Sequence, residues 1–103
     1  MTNITPEEVK QRLDAGENLN LVDVREPNEN ALFNIGGKLL PLGKIQSMQT
    51  EDIDNLKNDE VILYCRSGNR SGIAAMTLDS MGFANTKNLV GGMLAWEEKF
   101  KHP

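Results

Sequence analysis

The sequence predicts an α/β fold, a mostly parallel central sheet with helices on both faces, and three observations carry that prediction. Short runs rich in β-branched and apolar residues alternate with stretches of helical spacing, the pattern of βα units. The most apolar run, Val61-Ile62-Leu63-Tyr64, feeds directly into a glycine-containing loop and then a helix. No internal repeat or low-complexity linker interrupts the 103 residues, so residues 1–103 are read as one domain around one core.

Taken in order, Thr5-Pro6-Glu7-Glu8 opens a helix. Thr5 can cap, Pro6 has the φ of a first turn, and Glu8 closes a capping box. Val9 and Leu13 supply its apolar stripe and Gly16 its stop. Residues 19–24 form a buried strand that ends in the charged turn Arg25-Glu26-Pro27. A short helix is expected over 29–33, followed by a flexible Gly36-Gly37 pair and a strand at 38–40, with Pro41 at its end. Thr50 caps a short helix through Leu56 that carries Ile53 and Leu56 inward. The strand 61–64 then runs into Cys65, and Ile73, Ala74, Thr77, Leu78 and Met81 recur at helical spacing up to the stop at Gly82. The end repeats this grammar: a strand over 86–90, a turn at Gly91-Gly92, and a closing helix over 93–99 with Leu94 and with Trp96 as core packing.

Composition narrows the function. Fifteen acidic against eleven basic residues give a net charge of −4, so the overall field disfavours nucleic acid, and any anion site must be local. No apolar run reaches the length of a membrane span, and the first residues lack the pattern of a secretion signal, which makes the cytoplasm the expected location. The single cysteine rules out an internal disulfide framework and leaves a free thiol to be explained.

That thiol stands where ligands bind in open α/β sheets, beyond the carboxyl end of a strand. In Cys65-Arg66-Ser67-Gly68-Asn69-Arg70-Ser71, Gly68 permits a backbone that curls successive N–H groups around one anionic atom. The following helix adds its N-terminal donors, and Arg66 and Arg70 add positive charge. A free thiol of pKa about 8.5 is only about 3% ionised at neutral pH, and a fall of about two units makes the thiolate the major form. A cysteine that merely fills space at a strand end needs none of these features. Cysteine loops that hold a tetrahedral phosphate are spaced C-x5-R, whereas Cys65 to Arg70 is C-x4-R; the tighter loop suits a smaller guest such as one sulfur atom.

These residues resemble the rhodanese-like sulfurtransferase family. Residues 21–27, Leu-Val-Asp-Val-Arg-Glu-Pro, are similar to its early strand and Asp-Val-Arg turn, residues 65–71 to its active-site loop, and Gly91-Gly92 with Trp96 to its closing motif. The resemblance implies a single rhodanese domain that takes sulfane sulfur from an anionic donor such as thiosulfate and holds it as a persulfide on Cys65. It then passes the sulfur to a thiol or cyanide-like acceptor, in ping-pong order and without a separate cofactor. A sulfur-carrier protein is a further candidate partner. By this resemblance backbone N–H groups from Arg66 through Ser71 cradle the sulfur, and Arg66 or Arg70 attracts the donor. Asp23 and Arg25 support the site, with a purely structural salt link the equal alternative. Gly91-Gly92 is read as a turn.

One stretch departs from the family's Gly-His-Ile-Pro-Gly-Ala: here residues 33–38 read Phe-Asn-Ile-Gly-Gly-Lys. The missing proline and added Gly36 are expected to loosen the connection, and Lys38 brings a charge, so donor identity is expected to be decided there. Other chemistries fare worse. The only histidine is His102, at the end of the chain, so a hydrolase lacks its base and a zinc site its usual ligands. Two rivals remain, a phosphatase or arsenate reductase on the same fold, disfavoured by the short loop, and a non-catalytic docking module, disfavoured by Cys65 with both arginines.

Overall fold

A computed structural model describes residues 1–100; His102 lies outside the described residues. Strands β1 (Thr2–Ile4), β2 (Leu21–Asp23), β3 (Lys38–Leu39), β4 (Glu60–Tyr64) and β5 (Asn85–Leu89) form one sheet in the order β1-β5-β4-β2-β3. Every pairing is parallel, with Asp23 beside Tyr64 and Leu63 beside Asn88. Parallel neighbours need crossovers, and the connecting segments supply helices α1 (Pro6–Asp14), α2 (Pro27–Leu32), α3 (Leu42–Gln46) and α4 (Asn69–Ser80), plus a 3-10 turn at Glu51–Leu56; α5 (Gly92–Lys99) follows the last strand. Among the described residues, no helix is long and apolar enough to cross a membrane.

Side chains alternate across a strand, so β4 divides the core in two. Val61 and Leu63 face one layer with Ile45, Ile53, Ala74, Ala75 and Leu78. Ile62 and Tyr64 face the other with Val9, Leu89, Met93 and Trp96. Cys65 continues the Val61–Leu63 face and therefore aims its sulfur toward the side covered by α4.

The expected capping box at Thr5 and Glu8 is present in both directions. Trp96 is buried and meets the Phe100 ring edge-on at 4.9 Å. Two elements were not expected: β1, only three residues long, and α3, whose second residue is the poor helix former Gly43. Helix α4 starts two residues before the predicted Ser71, on a Gly68 cap. Its buried stripe is consequently Ser71, Ala74, Ala75 and Leu78, and Ile73, expected inward, is 49% exposed. Leu94 of α5 is likewise exposed.

At the end of the sheet away from Cys65, Glu60 joins three elements. Its carboxylate takes a forked pair of bonds from Arg12 at 2.9 and 2.6 Å and one from Lys87 at 2.6 Å. The Arg12 guanidinium, followed by Lys87, outweighs burial and holds the Glu60 carboxyl at about 2, against an ordinary 4.5. A depressed carboxylate stabilises the fold fully above its unfolded pKa and loses that contribution as pH falls through the folded value. Urea unfolding followed from pH 7 to pH 2 should therefore show stability falling below about pH 4.5, with a shallower fall in Glu60→Gln. The slope left in that variant belongs in part to Glu29, held at about 2 chiefly by Arg70.

Candidate active site

The site begins where β4 ends. Cys65 is 1% exposed, yet its sulfur is not in an apolar environment. The chain turns at Gly68, whose φ of +102° other residues rarely adopt, and this points the Gly68 N–H back at Sγ, 3.1 Å away. The Ser71 hydroxyl lies 3.4 Å from Sγ. Burial pushes the Cys65 thiol up, but the Ser71 hydroxyl and the N–H groups of Ser71, Gly68 and Ser67 together hold it below its ordinary value. Three of these four donors belong to the turn that opens α4 or to its first turn, where N–H groups have no partner inside the helix.

What turns the N–H groups inward is the first turn of α5. Met93 N–H donates to the Cys65 carbonyl at 2.9 Å, and Leu94 N–H to the Arg66 carbonyl at 3.0 Å. In a trans peptide the C=O and N–H point oppositely, so fixing these two carbonyls toward α5 directs the Arg66 and Ser67 N–H groups away from it. The approach is so close that a Cβ on Gly92 would fall on the Cys65 carbonyl oxygen and lie 2.6 Å from the Arg66 carbonyl carbon and oxygen. Gly91-Gly92 is thus a turn, as the sequence reads, and also the buttress of the cysteine loop. Asn88, buried in β5, holds the loop from below: its Nδ2 donates to the Gly68 carbonyl at 3.1 Å and its Oδ1 accepts from the Ser71 hydroxyl at 2.5 Å.

The charged residues separate into distinct roles. Arg70 is tied to Glu29 of α2 by two bonds of 2.7 and 2.9 Å, so its charge is matched within the protein. Arg25 and Asp23, both buried, form a closed pair: Arg25 Nε and Nη2 reach the two carboxylate oxygens at 2.9 and 2.8 Å. Asp23 also accepts from the Arg25 N–H and from Asn30, and Arg25 reaches the Phe33 carbonyl at 2.6 Å. Arg66 is exposed and, among the described residues, has no ion-pair partner. It lines a cleft of about 200 Å³ with Arg25, Phe33, Met93, Leu94 and Glu97. Asn69 opens α4 as an exposed residue, and Ser67 is exposed at the loop's crest.

The departing segment 33–38 is held rather than loose. The Gly37 N–H donates to the Tyr64 hydroxyl at 3.1 Å, and Asn34 bridges the Asn30 carbonyl and the Gly36 N–H at 2.9 and 2.8 Å. Only Phe33 and its carbonyl reach the cleft beside Arg66. Lys38 donates instead to the Asp52 carbonyl and borders a separate hollow with Leu19 and Asn20, at the amino end of β2. Its charge therefore lies away from the sulfur.

Sequence reasoning found Cys65, Gly68, Ser71 and the arginines. It missed Asn88, Glu29 and the buttressing role of Gly92. For Asn88 there was a signal: Thr86 and Asn88 stand two apart, hence on one face, as polar residues in a strand that had to be buried.

Comparison with known proteins agrees with this architecture. The family model for the Rhodanese-like domain matches residues 5–99. A sulfurtransferase of Allochromatium vinosum is 38% identical over 97 residues, covering 93% of this chain and 88% of that protein. A Bacillus subtilis protein named as a sulfur carrier, YrkF, is 39% identical over 97 residues, covering 93% of this chain; the chain spans about half, 51%, of that protein's length. Among solved structures, a rhodanese-like domain protein from Staphylococcus aureus superposes with a TM-score of 0.78 at 32% identity, covering 93% of this chain and 91% of the other.

Proposed function

The chain belongs to the rhodanese-like sulfurtransferase family, and we propose that it moves sulfane sulfur from an anionic donor such as thiosulfate to a thiophilic acceptor through a persulfide on Cys65. The observation that carries this reading is a buried sulfur met by the Gly68 and Ser71 donors at the start of a twelve-residue helix. Such a setting favours an anion on sulfur, and the short C-x4-R spacing suits a single sulfur atom better than a tetrahedral group.

In the first step the Cys65 thiolate attacks the outer sulfur of thiosulfate. The new S–S bond forms as the old one breaks, and sulfite leaves with the bonding pair. The terminal sulfur of the persulfide then carries the negative charge, and the loop N–H groups stabilise it. In the second step the acceptor attacks that terminal sulfur; cyanide leaves as thiocyanate and Cys65 is again a thiolate. No cofactor enters, because the persulfide is itself the carrier. The relative named as a sulfur carrier supports a sulfur-carrier protein as a transfer partner.

Arg66 is assigned the donor. Arg70 is matched by Glu29 and Arg25 by Asp23, which leaves Arg66 as the unmatched positive charge on the cleft. Arg66→Ala should raise KM for thiosulfate about tenfold while kcat changes less than about threefold, since the lost contact is made to donor and transition state alike. Initial rates over a grid of thiosulfate and cyanide concentrations test the whole cycle. Parallel double-reciprocal lines are expected for a covalent carrier, and intersecting lines would exclude one.

A further inference from the structure

The Ser71 hydroxyl has one proton and two neighbours that can accept it. Its Oγ lies 2.5 Å from Asn88 Oδ1 and 3.4 Å from Cys65 Sγ. The Asn88 amide cannot be turned over without loss, because its Nδ2 donates to the Gly68 carbonyl; its oxygen therefore faces Ser71. All three groups are buried, with Ser71 at 0%, Cys65 at 1% and Asn88 at 8% exposure, so water does not readily replace a missing partner. Among the described residues no other side chain donates to Asn88 Oδ1.

A hydroxyl donates once and accepts through its lone pairs. While Cys65 keeps its proton, the bonds can run in one direction, from S–H to Ser71 Oγ and from Ser71 O–H to Asn88 Oδ1. Once the thiol proton has passed to solvent, the sulfur can only accept. The hydroxyl can then turn from Asn88 to Sγ, which leaves Asn88 Oδ1 without its donor. We propose that Asn88 is a positioning residue that competes with the Cys65 thiolate for the Ser71 proton, so that the hydroxyl swings between two acceptors as the sulfur gains and loses charge. The two glycines beside it fit this arrangement: a Cβ on Gly72 would stand 3.3 Å from Asn88 Nδ2, and one on Gly68 3.9 Å.

The consequence for the cycle rests on the persulfide reading above, whereas the ionisation itself does not. When Sγ becomes the inner, uncharged sulfur of a persulfide, the hydroxyl returns to Asn88 and the anion is left to the loop N–H groups. The same residue thereby keeps the resting thiolate from being bound too tightly to react. Other charges around the sulfur are accounted for: Arg70 on α4 is matched by Glu29 of α2, Asp23 of β2 and Arg25 just after it close on each other, Arg66 of the loop is exposed, and α5 meets the loop through backbone N–H groups.

The test needs no sulfur donor, so its result is independent of whether thiosulfate is the substrate. In the isotopically labelled full chain, the Asn88 side-chain amide signals are followed by NMR against pH, beside the ultraviolet absorbance of the Cys65 thiolate. Both should share one midpoint in the parent, and the Asn88 response should disappear in Ser71→Ala. An Asn88 signal that is flat through the Cys65 midpoint, or that persists unchanged in Ser71→Ala, overturns the proposal.

Discussion

Gly92→Ala is expected to cut sulfur transfer at least about a hundredfold, although the residue touches no substrate. The added methyl meets backbone, not a movable side chain: the Cys65 carbonyl oxygen, and the Arg66 carbonyl carbon and oxygen at 2.6 Å. Relief requires α5 and the cysteine loop to part, which breaks the Met93-to-Cys65 and Leu94-to-Arg66 hydrogen bonds. Those bonds orient the loop peptides, so the cradle fails with them. The φ of +55° at Gly92 adds about 1–2 kcal/mol of strain for any L-residue. Gly82→Ala isolates that smaller effect, since Gly82 has φ +98° with open space around it. It should lose only a modest amount of stability and keep its activity. Sulfur-transfer rates and urea midpoints of the two variants, measured side by side, separate the clash from the strain.

The second large effect belongs to Asp23. Its carboxylate is fully buried and accepts four hydrogen bonds, three from Arg25 and one from Asn30. Asp23→Ala strands the buried Arg25 guanidinium, and removing one member of such a pair costs about 3–5 kcal/mol. That is a large share of the roughly 5–15 kcal/mol that holds a domain together. The pair anchors the strand end beside β4 and, through Arg25 and the Phe33 carbonyl, one wall of the cleft. Urea unfolding should show the full loss in Asp23→Ala and much of it restored in Asp23→Leu with Arg25→Met, where no charge is left buried. A single variant with unchanged stability and lost activity would instead make Asp23 a direct participant in the reaction.

Local sequence carried the site's chemistry and left out its supports. The Cys65 loop was legible because its determinants lie in one continuous stretch, residues 60–71: an apolar strand, a glycine that can turn, and a helix start. Asn88, Glu29 and Gly92 are supplied by other elements, and only the register of β4 with β5 and the docking of α2 and α5 bring them to the sulfur. Both arginines of the loop looked alike in sequence; the Glu29 pairing divides their roles. The 33–38 segment misled for a related reason. Losing a proline frees a chain only if nothing else holds it, and the Tyr64 hydroxyl and Asn34 do. Strand β1 and helix α3 escaped because three and five residues are too few to show a period. The outward turn of Ile73 followed from a cap at Gly68, which periodicity alone does not locate.

The central claim is that Cys65 carries a sulfur atom between two half-reactions. Intact mass of the protein after incubation with thiosulfate reads this directly. The parent should gain the mass of one sulfur atom, lose it on adding cyanide, and gain nothing as Cys65→Ala. A parent of unchanged mass across several sulfur donors, or an equal gain in Cys65→Ala, would contradict the account.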